Sequence, residues 1–107
     1  MEAKIIVLAA VLFASFAVLA APTVEEGKTI FTTRCAGCHN VNKQLVGSAL
    51  AGIDQRRNID WIINFVHSSQ KVVKSGDEYA VNLFNQFKLV MPDHPDLTAD
   101  NIKSIVE

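Results

Sequence analysis

The sequence predicts an all-α domain, and three observations carry that prediction. No segment after the first twenty residues alternates apolar and polar side chains as a half-buried strand does. Four segments instead repeat apolar residues at i, i+3 or i+4, the spacing of one helix face. Each of the four opens on a Ser, Thr, Asn or Asp able to cap a helix.

Thr23-Val24-Glu25-Glu26 reads as a capping box, and Val24, Gly27 and Phe31 continue at helical spacing, so a first helix should run from about residue 24 to Cys35. Residues 40–58 hold two glycines, Asn and Gln without periodicity, which predicts a loop with a short helical turn near Ala49. Asn58 or Asp60 caps a second helix carrying Trp61, Ile62, Phe65 and Val66. Residues 68–76 read as a connector. Ser75 to Glu78 forms another capping box, opening a third helix with Ala80, Leu83, Phe84 and Phe87 along its stripe. Pro92 and Pro95 keep residues 88–97 out of regular helix. Thr98 then caps a last helix with Ile102, Ile105 and Val106 on one face. Four short helices with long connectors leave little helix-to-helix core, so the middle calls for a filler.

Half of the 107 residues are hydrophobic, but much of that content lies in Ile5 to Ala21, which carries no charge and only Ser15 as a polar interruption. Lys4 precedes the block and Val18-Leu19-Ala20-Ala21-Pro22 closes it, the pattern of a secretory signal peptide cleaved after Ala20. The division is therefore residues 1–20 as signal and 21–107 as the domain, with a retained membrane anchor as the alternative for a block near the short end of spanning length. Both readings place the domain on the non-cytoplasmic side. Removing Lys4 and Glu2 together leaves the net charge at −1, which argues against nucleic acid or a strongly anionic surface as partner.

Cys35-Ala36-Gly37-Cys38-His39 is the only grouping of cysteine with histidine, and its CxxCH spacing is the signature of covalent haem c attachment. Three positions apart on a helical end, Cys35 and Cys38 place both sulfurs on one side, where each can form a thioether to one porphyrin. His39 follows as the proximal iron ligand. A redox dithiol would open a helix after a strand, whereas here a helix precedes the pair. A structural zinc site needs four protein ligands, and there is no second cysteine pair or HxxxH. A disulfide between the two would close only a tiny loop.

Gly27 with Phe31, the CAGCH run, Val46-Gly47 and Leu50, Trp61, Met91-Pro92 and the final capped segment resemble, in that order, the class I monohaem c-type cytochromes. The resemblance covers nearly the whole chain after the signal and implies four to five helices around one haem with an exposed edge. Met91, His67 and His94 are the candidates for the sixth ligand, and the resemblance implies Met91, a thioether held in a loop fixed by Pro92. His94 reads as part of a polar surface loop and His67 as a solvated helix end. Gly47-Ser48-Ala49-Leu50 stands where the family has Gly-Pro-x-Leu, so the Ser48 carbonyl is expected to accept the second His39 N–H. Trp61 resembles the family's haem-edge tryptophan facing a propionate. Arg56 and Asn64 are further candidates to offset propionate charge, with Arg57 beside them; the arginine pair reads equally well as solvated surface. The family's last helix continues past the position of Val106, and this chain stops at Glu107, which leaves a piece of a longer chain or weaker terminal packing as the expectations.

The resulting expectation is a single-electron carrier exchanging electrons with transient redox partners in the periplasm or at the membrane, as part of a respiratory chain. Its alternatives are a haem domain of a larger redox enzyme and a peroxidase-type enzyme with an open distal site using a group such as His94.

Overall fold

A computed structural model describes residues 23–107; the proposed signal, its cleavage point and the first two residues of the proposed domain lie outside the described residues. Among the described residues the regular structure is entirely helical: α1 Val24–Ile30, α2 Ile53–Arg56, α3 Ile59–His67, α4 Ser69–Lys74, α5 Glu78–Phe87 and α6 Ala99–Val106. None of these helices is long and apolar enough to cross a membrane.

The first helix starts where expected. Thr23 Oγ1 accepts from the Glu26 amide at 3.1 Å, and Glu25 and Glu26 lie at the positive end of the helix dipole. The helix does reach Cys35, but its last stretch, Phe31–Cys35, is wound as a π-helix, with the Ala36 amide donating to the Phe31 carbonyl. Such turns are rare and concentrate at functional sites. Asn58, rather than Asp60, caps α3, its Oδ1 accepting from the Trp61 amide at 2.8 Å. Thr98 and Asn101 close a reciprocal capping box on α6.

Three expectations are corrected. The short helical turn lies at Ile53–Arg56 rather than near Ala49, because Gly52, at φ 75°, reverses the chain just before it. The expected connector 68–76 contains α4, since Ser68 accepts from the Lys71 amide and starts a new helix at once. α5 is capped by Asp77 and not by Ser75, whose hydroxyl donates back to the Val72 carbonyl at the end of α4. With Gly76 at φ 85° between them, only Asp77 faces the new helix. The described helices therefore exceed the four to five expected.

α1 packs on α6, α3 on α4 and α6, and α4 on α5. The α1–α6 crossing is made at Gly27, which is buried, where an added Cβ would strike the Ser104 carbonyl and come within 2.8 Å of the Ile105 amide. Buried apolar side chains are few among the described residues: Ile62, Ala80, Leu97 and Ile102. Eight half-buried hydrophobic residues, from Ile30 to Val106, pack around this small cluster. Val41, Val46, Phe84, Leu89 and Val90 meanwhile stay exposed, and all five line the cavities next to the CxxCH run. The buried core among the described residues is thus small beside an apolar cleft, as expected of a domain whose middle calls for a filler.

Candidate cofactor site

The attachment motif sits at the end of the π-helical stretch. The amides of Cys38 and His39 both donate to the Cys35 carbonyl, at 3.1 and 3.0 Å, which tightens residues 35–39 into a turn. Cys35 is half-buried, Cys38 is exposed, and the two are not joined to each other. Burial pushes the Cys35 thiol up, while the neighbouring Arg34 guanidinium pulls it back in part. A Cβ on Gly37 would meet no protein atom within 4 Å, so the fold itself places nothing over this residue.

His39 is held by backbone. Its Nδ1 lies 2.8 Å from the Ser48 carbonyl, and because a carbonyl only accepts, Nδ1 carries the proton and donates. That tautomer leaves the Nε2 lone pair for a metal. The ring rests on Gly47, where a Cβ would lie 2.6 Å from Cε1 and 2.9 Å from Nδ1. Gly47 is itself fixed by its amide donating to the Cys38 carbonyl at 2.7 Å. The bond expected from Ser48 is therefore present without proline.

Two adjoining chambers, of about 290 and about 490 Å³, share Cys35, His39, Ser48, Phe65, Leu83 and Met91 as walls. They form one largely apolar cleft of the size that small-molecule and cofactor sites take. Met91 is half-buried, and its carbonyl accepts from the hydroxyl of Ser69, a residue only 2% exposed, at 2.7 Å. The His94 amide, three residues on, donates to the Val66 carbonyl. The loop carrying Met91 is thus pinned to α3 and α4.

Trp61 lines the larger chamber with its indole Nε1 buried and unpartnered. A buried donor without an acceptor is costly, and it fits a ligand oxygen arriving in the chamber. The indole stacks on Phe65 at 4.9 Å and meets Tyr79 edge-on at 5.3 Å, which fixes its direction. Arg57 lies over the Tyr79 ring at 4.2 Å with its Nε also buried and unpartnered. Arg57 is half-buried and Arg56 exposed, and neither lines a chamber. Arg56 donates to the carbonyls of Ala49 and Ala51 and to the Tyr79 hydroxyl, bracing the loop beside Ser48. Asn64 is exposed and lines neither chamber.

The two other histidines also differ from expectation. His67 is half-buried, not solvated, and its Nε2 donates to the Leu97 carbonyl. His94 is half-buried at the wall of the smaller chamber, with Nδ1 accepting from Arg34 at 3.0 Å. Arg34 also grips Asp96 and, like Ser69, is a site-building residue that periodicity does not point to; adjacency to Cys35 was its only sequence signal.

The donor set matches covalent haem: two thiols at one wall, an imidazole with a free Nε2, a thioether on the same cleft, and an unpartnered indole N–H. Comparison with known proteins agrees. The cytochrome c family profile matches residues 24–107. Among solved structures, cytochrome c from Rhodothermus marinus superposes with a TM-score of 0.69 at 21% identity, covering 85% of this chain and 80% of that one. An engineered form of that protein gives 0.68 at 19% identity, covering 85% and 81%. The engineered form bound to a carbene intermediate gives 0.66 at 19%, covering 85% and 80%. Among curated proteins none matches significantly. The chain belongs to the cytochrome c family, the class I monohaem c-type cytochromes, whose cofactor is covalently attached haem c with its iron.

Proposed function

We propose that this protein is a single-electron carrier in which Cys35 and Cys38 hold haem c through thioethers and His39 and Met91 are the axial iron ligands. The family's general activity is electron transfer. The bound group supplies the Fe(III)/Fe(II) couple. The chain's own residues then set that couple's environment. The Ser48 carbonyl orients His39 and raises its basicity, so Nε2 is directed to the metal without a rotamer search. Met91 offers a thioether from a loop pinned by Ser69, and thioether ligation favours the reduced state and raises the potential. Trp61 Nε1 provides a donor for a porphyrin carboxylate, and Arg56 braces the loop beside Ser48. Apolar walls exclude water from the ring.

The single observation that carries this reading is the His39 tautomer: Nδ1 committed to Ser48, Nε2 free, and Met91 on the same cleft. A peroxidase-type site needs a free acid–base group over an open position, whereas His94 is tied to Arg34. Export, with residues 1–20 as signal, puts the carrier in the periplasm or on its membrane face, where donor and acceptor proteins bind transiently around an exposed edge. The near-zero net charge implies only modest salt dependence of those encounters.

Expression in a host with cytochrome c maturation machinery, followed by a pyridine haemochrome assay on denatured protein, tests the attachment. Wild type should retain one haem per chain after denaturation and extraction. Haem retained equally by the Cys35→Ala, Cys38→Ala double variant would overturn the assignment.

A further inference from the structure

Arg34 lies immediately before Cys35, on the π-helical stretch that ends at the attachment motif. Its side chain reaches 62 residues along the chain to the far end of the Met91 loop. Both terminal nitrogens are used: one donates to Asp96 Oδ2 at 2.9 Å, the other to Asp96 Oδ1 at 3.0 Å. The second also lies 3.0 Å from His94 Nδ1, which accepts. Among the described residues this is the one ion pair formed between side chains. It is bidentate, the geometry in which a guanidinium imposes direction as well as attraction.

The segment it grips is otherwise lightly held. Residues 88–94 have no regular backbone ladder, Lys88 enters at φ 61°, and Leu89 and Val90 are exposed. Three hydrogen bonds attach the loop and its far end to α3 and α4, from Ser69 to the Met91 carbonyl, from the His94 amide to Val66 and from His67 Nε2 to the Leu97 carbonyl. None reaches the helix that carries the cysteines. Arg34 alone supplies a side-chain tie between that helix and the Met91 loop, so it spans the cleft wall from the attachment side to the distal side.

We propose that Arg34 is a positioning residue for the sixth ligand: its fork on Asp96 and His94 latches the Met91 loop over the cleft and keeps the thioether on the iron. The inference rests on Met91 being that ligand. Arg34 touches neither iron nor porphyrin in this role; it acts through the loop. With the latch broken, the loop opens more often, and an external ligand reaches the iron during each opening.

The test uses holoprotein and two readouts, the near-infrared methionine-to-iron band of the oxidised state and the rate of cyanide binding. Arg34→Gln and Asp96→Asn should each speed cyanide binding by about 1.5-fold to fivefold, the range expected of an exposed pair, with some loss of the band. The double variant should be no faster than Arg34→Gln alone, because that substitution already removes the Asp96 pair. In a Met91→Ala background, where no thioether competes for the sixth position, Arg34→Gln should leave the cyanide rate unchanged. A general loosening of the fold would speed both backgrounds and would overturn the proposal, as would multiplicative effects in the double variant. Should Arg34→Gln fail to accumulate, Asp96→Asn carries the same test. If wild type and Met91→Ala share one spectrum and one cyanide rate, the ligation reading itself has failed. If they differ but Arg34→Gln and Asp96→Asn match wild type, only the latch has failed.

Discussion

Replacing Gly27 with alanine sets two effects of known sign against each other. Alanine is the better helix former, by about 0.8–1 kcal/mol, and on propensity alone the variant would be more stable. The new Cβ, however, would strike the Ser104 carbonyl and approach the Ile105 amide to 2.8 Å. Those are backbone atoms of α6, which no rotamer change can move aside. Relief requires α1 and α6 to separate, loosening the crossing that buries Ile102. Overpacking of this kind costs about 1–3 kcal/mol and more where backbone blocks relaxation, so the net expectation is a loss of about 1–2 kcal/mol. For a domain of this size that corresponds to a fall of about 4–16 °C in Tm. The measurement is thermal unfolding of the oxidised holoprotein followed by far-ultraviolet circular dichroism, with haem content checked first. A Tm equal to or above wild type would refute the reasoning, because propensity would then outweigh a contact too loose to matter.

Further outcomes follow from the site. Ser69→Ala leaves the Met91 carbonyl without its buried donor, at a cost of about 1–3 kcal/mol, and the methionine-to-iron band should disappear at lower denaturant concentration than in wild type. Trp61→Phe removes the unpartnered indole donor from the larger chamber; the apparent pKa of the porphyrin carboxylate proposed to face it, read from voltammetry against pH, should rise. The Arg34 guanidinium holds the Asp96 carboxyl at about 2, below its usual 3.8. A carboxyl depressed in the folded state stabilises fully above its unfolded value and loses that contribution as pH falls through the folded one. Loop closure should therefore be insensitive to Asp96 above about pH 4 and weaken from there toward pH 2, and Asp96→Asn should flatten that acid limb of the band's pH titration.

Features set by neighbours in the chain were legible in the sequence. Thr23, Asn58 and Thr98 cap their helices through bonds spanning three residues, and the CAGCH run needs no partner elsewhere to be recognised. α4 was not, because six residues make too short a face for periodicity to register, and a hydroxyl cap at Ser68 looks the same as a loop serine. Ser75 and Asp77 offer equally good caps; the left-handed turn at Gly76 decides between them, and that is a property of the folded path. In the site, the Ser48 carbonyl was foreseeable only through resemblance, since a backbone acceptor leaves no mark on residue type. Ser69 on Met91 and Arg34 on Asp96 lie 22 and 62 positions apart, and nothing in composition or spacing joins them. The role of Arg57, with its buried Nε, is likewise a matter of where α2 ends against Tyr79.

Iron K-edge X-ray absorption of the haem-loaded protein, compared between wild type and Met91→Ala, examines the ligand set at the metal itself. The account predicts one sulfur scatterer with nitrogen neighbours in wild type, and loss of that sulfur in Met91→Ala while the His39 nitrogen remains. A wild-type iron without sulfur, or a sulfur that persists when Met91 is removed, would contradict it.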